Sequence, residues 1–139
     1  MPWLVDGDNL LGTWPGRRRT ERERRALAQQ LGRLAVREGR RVVVVFDGPT
    51  PPGPAFGPEV HFAAPASADQ RILAWLEREA DPRGWTVVTS DRSLADRCRH
   101  RQARVERSDA FRKRLAPGGE AEKPEREADV SYWLEQFED

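Results

Sequence analysis

Three short apolar runs punctuate the chain, and each gives way to an aspartate. Trp3-Leu4-Val5 meets Asp6, Val42 to Phe46 meets Asp47, and the run Trp85 to Thr89 is followed by Ser90 and Asp91. The second run is β-branched and does not alternate with polar residues, the pattern of a parallel strand buried on both faces. Between the first two runs, Leu27, Leu31 and Leu34 fall on one helical stripe, with Arg22, Arg25, Gln29 and Arg33 opposite. Thr20 with Glu23 forms a capping-box start for that helix, and Gly39 a left-handed stop. A second box, Ser67 with Gln70, opens a helix that buries Ile72, Leu73 and Leu76. Val60-His61-Phe62 predicts a short edge strand, residues 93–101 a basic helix and residues 103–106 a weak further strand. Helices near 109–115 and 127–137 complete the chain. The stretch G-D-N-L-L-G-T-W-P-G (residues 7–16) reads as turn chemistry, and residues 48–58 as a proline-rich loop.

Strands alternating with helices predict an α/β fold with an open, mainly parallel sheet of about four to five strands. Ligands of such sheets gather outside the carboxyl ends of the strands. Asp6, Asp47 and Asp91 each stand at such an end, and Asp69 lies in the first turn of the helix opened by Ser67. Singly, each has a structural explanation as a strand terminator or helix cap. Together they oppose stability, since two carboxylates ~5 Å apart repel by about 3 kcal/mol at an effective dielectric of 20. A divalent cation reverses the sign, and Mg²⁺ or Mn²⁺ prefers oxygen ligands with retained waters. Such an ion beside a phosphodiester activates water and stabilises the leaving oxygen. Asn9, Asp8 and Ser90 are polar neighbours of this edge. Asn9 is suited to orienting a water or phosphate, Ser90 to bonding a ligand carboxylate, and Asp8 to serving as an extra ligand, while turn chemistry explains them equally well.

At 139 residues and 15.9 kDa the chain is expected to form one domain, 1–139, with its acidic C-terminal segment docked on it. The net charge of +1 hides an asymmetry. Residues 120–139 hold eight acids and two bases, a net of −6, so the remainder carries +7. Arginine supplies 22 of the 24 bases, with six in residues 17–25, and residues 92–114 hold nine bases against three acids. A genome rich in G and C explains the ratio but not the clustering, which is the electrostatic footprint of a nucleic-acid partner. Arg17, Arg18, Arg19, Arg22, Arg25, Arg71 and Arg92 are the expected nucleic-acid contacts. One cysteine, Cys98, excludes an internal disulfide and a cysteine zinc cage. No apolar run approaches the ~18 residues of a membrane span, so a cytoplasmic protein without membrane partners is expected. His61 and His100 accompany no nucleophile pattern, and Trp3, Trp75, Trp85 and Trp133 supply core area. Trp14 suits either base stacking or loop packing.

V-D-G-D-N-L (residues 5–10) resembles the strand-end signature of NYN-domain proteins in the PIN-like nuclease superfamily. V-V-V-V-F-D-G, S-A-D-Q-R-I and V-V-T-S-D-R follow in the order and spacing of the YacP-like branch, so the likeness runs from about residue 3 to 115. The resemblance implies a PIN-like three-layer α/β/α fold and a Mg²⁺- or Mn²⁺-dependent endoribonuclease. Asp6, Asp47, Asp69 and Asp91 occupy the acidic positions, with Asn9 as the signature asparagine. It also implies RNA as substrate, with mRNA on a translating ribosome as the partner. Asp8 replaces the usual aromatic, and Gln70 replaces the acid beside Asp69. A rival function is a catalytically inactive RNA- or ribosome-binding module using the arginine surface. Another is a phosphatase using Asp6 and Asp8 as nucleophile and acid, although that chemistry wants a lysine near the phosphate and the chain has only Lys113 and Lys123.

Overall fold

The unbroken Val42–Phe46 run forms β2, buried at every residue, and it pairs with an equally buried β1 (Trp3–Asp6). In the computed structural model, which describes residues 1–57 and 59–115, these two lie inside a five-stranded sheet. The remaining strands are β3 (Val60–Phe62), β4 (Thr86–Val88) and β5 (Arg104–Glu106), in the order β3-β2-β1-β4-β5 with every pair parallel. Val5 stands in register with Val44 on one side and Val88 on the other, so β1, β2 and β4 finish side by side. The chain leaves β1 toward β2 and later returns to the other side of β1 as β4. The switch point of the sheet therefore falls at β1, where a ligand cleft forms in open α/β sheets.

The helices are α1 (Gly7–Gly12), α2 (Glu21–Glu38), α3 (Ala68–Arg78), α4 (Arg92–His100) and α5 (Ser108–Leu115). Alternate strand residues build the two interfaces. Leu4, Val43, Val45 and Val87 form one core with Ile72 and Leu76 of α3 and Leu94 and Cys98 of α4. Val44 and Phe46 face the opposite way, toward α1 and α2, where Leu27, Leu31 and Leu34 are buried. Helices thus cover both faces of the sheet, as the three-layer expectation requires. The chain divides into two compact units, Met1–Asp109 and Ala110–Asp139, and the fold described here is that of the first. Among the described residues, no helix is long and apolar enough to cross a membrane. The expected helix at 127–137, its docking and Trp133 lie outside the described residues.

Both helix starts follow the chemistry of their caps. Thr20 accepts the Glu23 N–H at 3.1 Å, and α2 stops at Gly39 with φ of 61°. At α3 the box is reciprocal, since Ser67 Oγ accepts the Gln70 N–H at 3.1 Å while Gln70 Oε1 accepts the Ser67 N–H at 3.0 Å. The stretch after Asp6 departs from the sequence expectation, because residues 7–12 form a short helix rather than a turn. Leu10 and Leu11 are fully buried there. A Cβ on Gly7 would sit 2.4 Å from the Phe46 ring, so glycine is required by close approach to β2. Burial of two leucines outweighs the weak helix propensity of Gly and Asn.

Candidate active site

The ends of β1, β2 and β4 and the first turn of α3 surround a cleft of about 140 Å³ lined by Asp6, Asp8, Asn9, Arg19, Asp47, Asp69 and Asp91. All four aspartates singled out from the sequence therefore share one cleft with Asp8. Each is held by a different device.

Asp6 closes β1 and is 5% exposed. Its Oδ2 accepts the Thr89 hydroxyl at 3.0 Å, and Thr89 Oγ1 in turn accepts the Asp91 N–H at 3.1 Å. Burial, against the opposing Thr89 hydrogen bond and reinforced by the charges of Asp69 and Asp47, pushes the Asp6 carboxyl up to about 7. Asp69 is half-buried, and its carboxyl also lies above the ordinary range, through burial first and then the charges of Asp91 and Asp47, with Arg97 opposing. Asp47 Oδ1 accepts the Ala68 N–H at 2.8 Å, fastening the end of β2 to the start of α3 and so bringing Asp69 alongside. Asp91 caps α4, with Oδ1 accepting the Leu94 N–H at 3.2 Å.

Asp8 is different. Arg24 clamps it with two hydrogen bonds of 2.9 and 2.8 Å, and its Oδ2 also accepts the Asp47 N–H at 2.9 Å. Its charge is matched and its oxygens are occupied, so it positions Asp47. A phosphatase mechanism needing Asp8 as a free acid does not fit this arrangement. Asn9 Oδ1 accepts the Ser90 N–H and the Ser108 hydroxyl, both at 2.8 Å, tying the start of α1 to the residues that follow β4 and β5. Ser90 Oγ accepts the Ser108 N–H at 3.0 Å and donates to Asp109 at 3.5 Å. The hydroxyl that bonds a cleft carboxylate belongs to Thr89 instead.

Among the described residues, the ion pairs take in Asp8 but none of Asp6, Asp47, Asp69 and Asp91. Among the described residues the cleft thus gathers four aspartates outside any ion pair, while Arg24 matches Asp8 and Arg19 lines the wall. It is not a closed cage: among the described residues, no group of three or more His, Cys, Asp or Glu side chains is arranged to hold a metal ion. Five aspartates with Asn9 and Arg19 around open space offer the oxygen donors suited to Mg²⁺ or Mn²⁺, which use one or two carboxylates and keep several waters.

The expected RNA-contacting arginines divide by environment. Arg19 lines the cleft, whereas Arg18, Arg22 and Arg92 are exposed and Arg71 is half-buried. Arg17 bonds Glu23 at 2.8 Å and Gln30 at 2.7 Å and lies 4.5 Å from the Trp14 ring, so both residues are engaged in packing the α1–α2 connection. Arg25 bonds Glu21 and the Pro54 carbonyl and covers the Phe56 ring at 4.0 Å, fastening the proline loop to α2. Cys98 is buried, and burial raises its thiol to about 12, leaving it inert. Thr89, Arg24 and Ser108 are the site residues that sequence reasoning passed over.

A parallel α/β/α sheet with acids at three neighbouring strand ends defines a PIN-like domain of nuclease type. The YacP-like NYN domain model matches residues 3–131, and the chain belongs to that family. A crystal structure of a mutant of Rae1 (YacP) from Bacillus subtilis aligns with a TM-score of 0.68 and 27% identity, covering 82% of this chain and 74% of that one. Another crystal structure of Rae1 (YacP) from Bacillus subtilis gives a TM-score of 0.66 at 24% identity, covering 83% and 73%, a likeness of fold. No curated protein sequence matches the chain.

Proposed function

We propose that the protein is a metal-dependent endoribonuclease that hydrolyses RNA phosphodiester bonds at the aspartate cleft, with mRNA on a cytoplasmic ribosome as its substrate. The observation that carries this reading is the gathering of Asp6, Asp47, Asp69 and Asp91 in one cleft, with no arginine pairing them among the described residues. One or two carboxylates from Asp6, Asp47, Asp69 and Asp91, with retained waters, would hold Mg²⁺ or Mn²⁺. A bound ion there supplies positive charge against the developing charge of the phosphodiester and an acidified water. Asp47 and Asp91 each accept a helix N–H on one oxygen, which fixes the carboxylate, and the other oxygen of each would be available to the ion or its waters. Thr89 orients Asp6 by donating to Oδ2. Arg19, on the cleft wall, supplies a guanidinium for a phosphate oxygen. The ribosome enters through the YacP-like family resemblance, and the arginine-rich surface is suited to either rRNA or mRNA.

The test is cleavage of labelled single-stranded RNA with Mn²⁺ by the parent, Asp6→Asn and Asp47→Asn, each checked for folding by circular dichroism. The expected result is cleavage by the parent that EDTA stops and both substitutions abolish. Equal cleavage by variants and parent overturns the proposal. The rival reading, an RNA-binding module without catalysis, is favoured by the absence of a ready-made three-residue metal cage among the described residues. It predicts salt-sensitive binding that chelator leaves intact, and no cleavage by any form.

A further inference from the structure

A second concavity adjoins the cleft on the β5 side. It measures about 360 Å³, and its lining is polar and charged apart from Ala95 and Val105, with Thr89, Ser90, Arg92, Asp96, Arg99 and Arg107 making up the rest. Three arginines thus line it, from the first residue of α4, its last turn and the residue after β5. Arg99 pairs with Asp96 at 3.4 Å and Arg107 with Asp109 at 3.1 Å, both exposed pairs, and Arg92 has no ion pair among the described residues. Exposed pairs of this kind contribute little, so an incoming dianion or phosphodiester replaces the carboxylates readily. The guanidinium fork matches phosphate oxygens in pairs, and Ser90 adds a polar wall.

The position decides which phosphate. Thr89 belongs to both sites, because it lines the basic pocket while its hydroxyl donates to Asp6 at 3.0 Å. The two sites therefore adjoin at the end of β4, with Thr89 between them. We propose that the pocket of Arg92, Arg99 and Arg107 binds a backbone phosphate of the same RNA strand whose neighbouring phosphodiester lies in the aspartate cleft. This rests on the RNA reading above and adds a direction to it: the strand crosses the end of β4 from acidic cleft to basic pocket.

Binding of a fluorescein-labelled single-stranded RNA to the full chain is followed by anisotropy in EDTA, so that no cleavage intervenes. Three double variants are compared with the parent, namely Arg92→Ala/Arg107→Ala, Arg92→Lys/Arg107→Lys and, on the outer face of α2, Arg33→Ala/Arg37→Ala. The pocket alanine pair is expected to weaken binding about tenfold or more and to flatten the log–log salt slope by about 1.4, the value for two lost contacts on a single strand. The lysine pair recovers most of the affinity, and the α2 pair binds like the parent. In a second arm, the bond that the parent cuts in Mn²⁺ is mapped first. With the phosphate beside it replaced by a neutral methylphosphonate, RNA binding in Mn²⁺, read as the KM for cleavage, is expected to weaken for the parent and not for the pocket alanine pair. Parent-like binding and salt slope in the alanine pair, or equal weakening of both proteins by the methylphosphonate, overturns the pocket. A parent that binds RNA and never cuts it with Mn²⁺ sinks the nuclease proposal and leaves the binding arm to decide the pocket.

Discussion

Replacing Asp6 by Asn in the metal-free protein is expected to raise stability, and the size of the effect follows from the carboxyl's environment. Its folded-state value is about 7 against an ordinary 3.8. A difference of roughly three units corresponds to about 4 kcal/mol between the two protonation states. The folded chain holds this proton more tightly than the unfolded chain, so stability falls as pH rises from about 4 toward 7 and is flat above. Asn removes the charge and keeps an oxygen for the Thr89 hydroxyl, but its amide needs a new partner, which returns about 1–3 kcal/mol of the gain. A net gain of about 1–3 kcal/mol translates to a Tm higher by roughly 3–10 °C. The assay is thermal unfolding by circular dichroism in EDTA. The gain should be present at about pH 8 and give way to a small loss at about pH 4, where the parent's Asp6 is protonated in the folded state and only the cost of the Asn amide remains. Mn²⁺ should raise the parent's Tm and move the variant much less. A variant that melts at or below the parent at the higher pH, or a gain unchanged at the lower one, would refute the reasoning.

Asp8→Ala leaves Arg24 without its partner and the Asp47 N–H without its acceptor, so a loss of about 2–4 kcal/mol is expected by urea titration. Arg24→Met should cost at least as much, because it strands a buried carboxylate. The double variant Asp8→Asn/Arg24→Met should lose less than the sum of its single changes. Gly7→Ala forces the Phe46 ring and Val44 to move from contacts of 2.4 and 2.8 Å, and a destabilisation of about 1–3 kcal/mol is expected by the same titration.

The parts legible in the sequence are those whose cause is local. The unbroken valine run of β2, the leucine stripe of α2 and both capping boxes were readable because each involves residues within a few positions of one another. The aspartates at strand ends were readable because parallel topology puts every strand's carboxyl end on one edge. The α1 segment was not, since its two Gly residues and its Asn mask a helix whose stability comes from Leu10 and Leu11 entering the core. Thr89, Arg24 and Ser108 were not either. Their partners lie 83, 16 and 99 positions away, and no periodicity reports such distances. Counting arginines gave the charge of the surface but not its availability, as Arg17 and Arg25 illustrate. Each has an aromatic ring and a glutamate close by, and each fastens a loop.

Asp8 and Gln70 differ from the resemblance's pattern, and the structure gives both a local task. Adding a fifth carboxylate to a cleft that already raises Asp6 and Asp69 above their ordinary range would deepen the repulsion unless the charge were cancelled. Arg24 cancels it, and Asp8 then acts through its acceptor role on the Asp47 N–H. Gln70, in place of an acid, completes the reciprocal cap with Ser67 while adding no charge one residue from Asp69. An acid there would still cap the helix, but it would add a negative charge one residue from Asp69. Both substitutions therefore hold the net charge around Asp6, Asp47, Asp69 and Asp91 to what those four contribute, while strengthening the backbone ties that orient two of them. The placement of Asp47 depends on Asp8 and Arg24, and the placement of Asp69 depends on the Ser67–Gln70 cap.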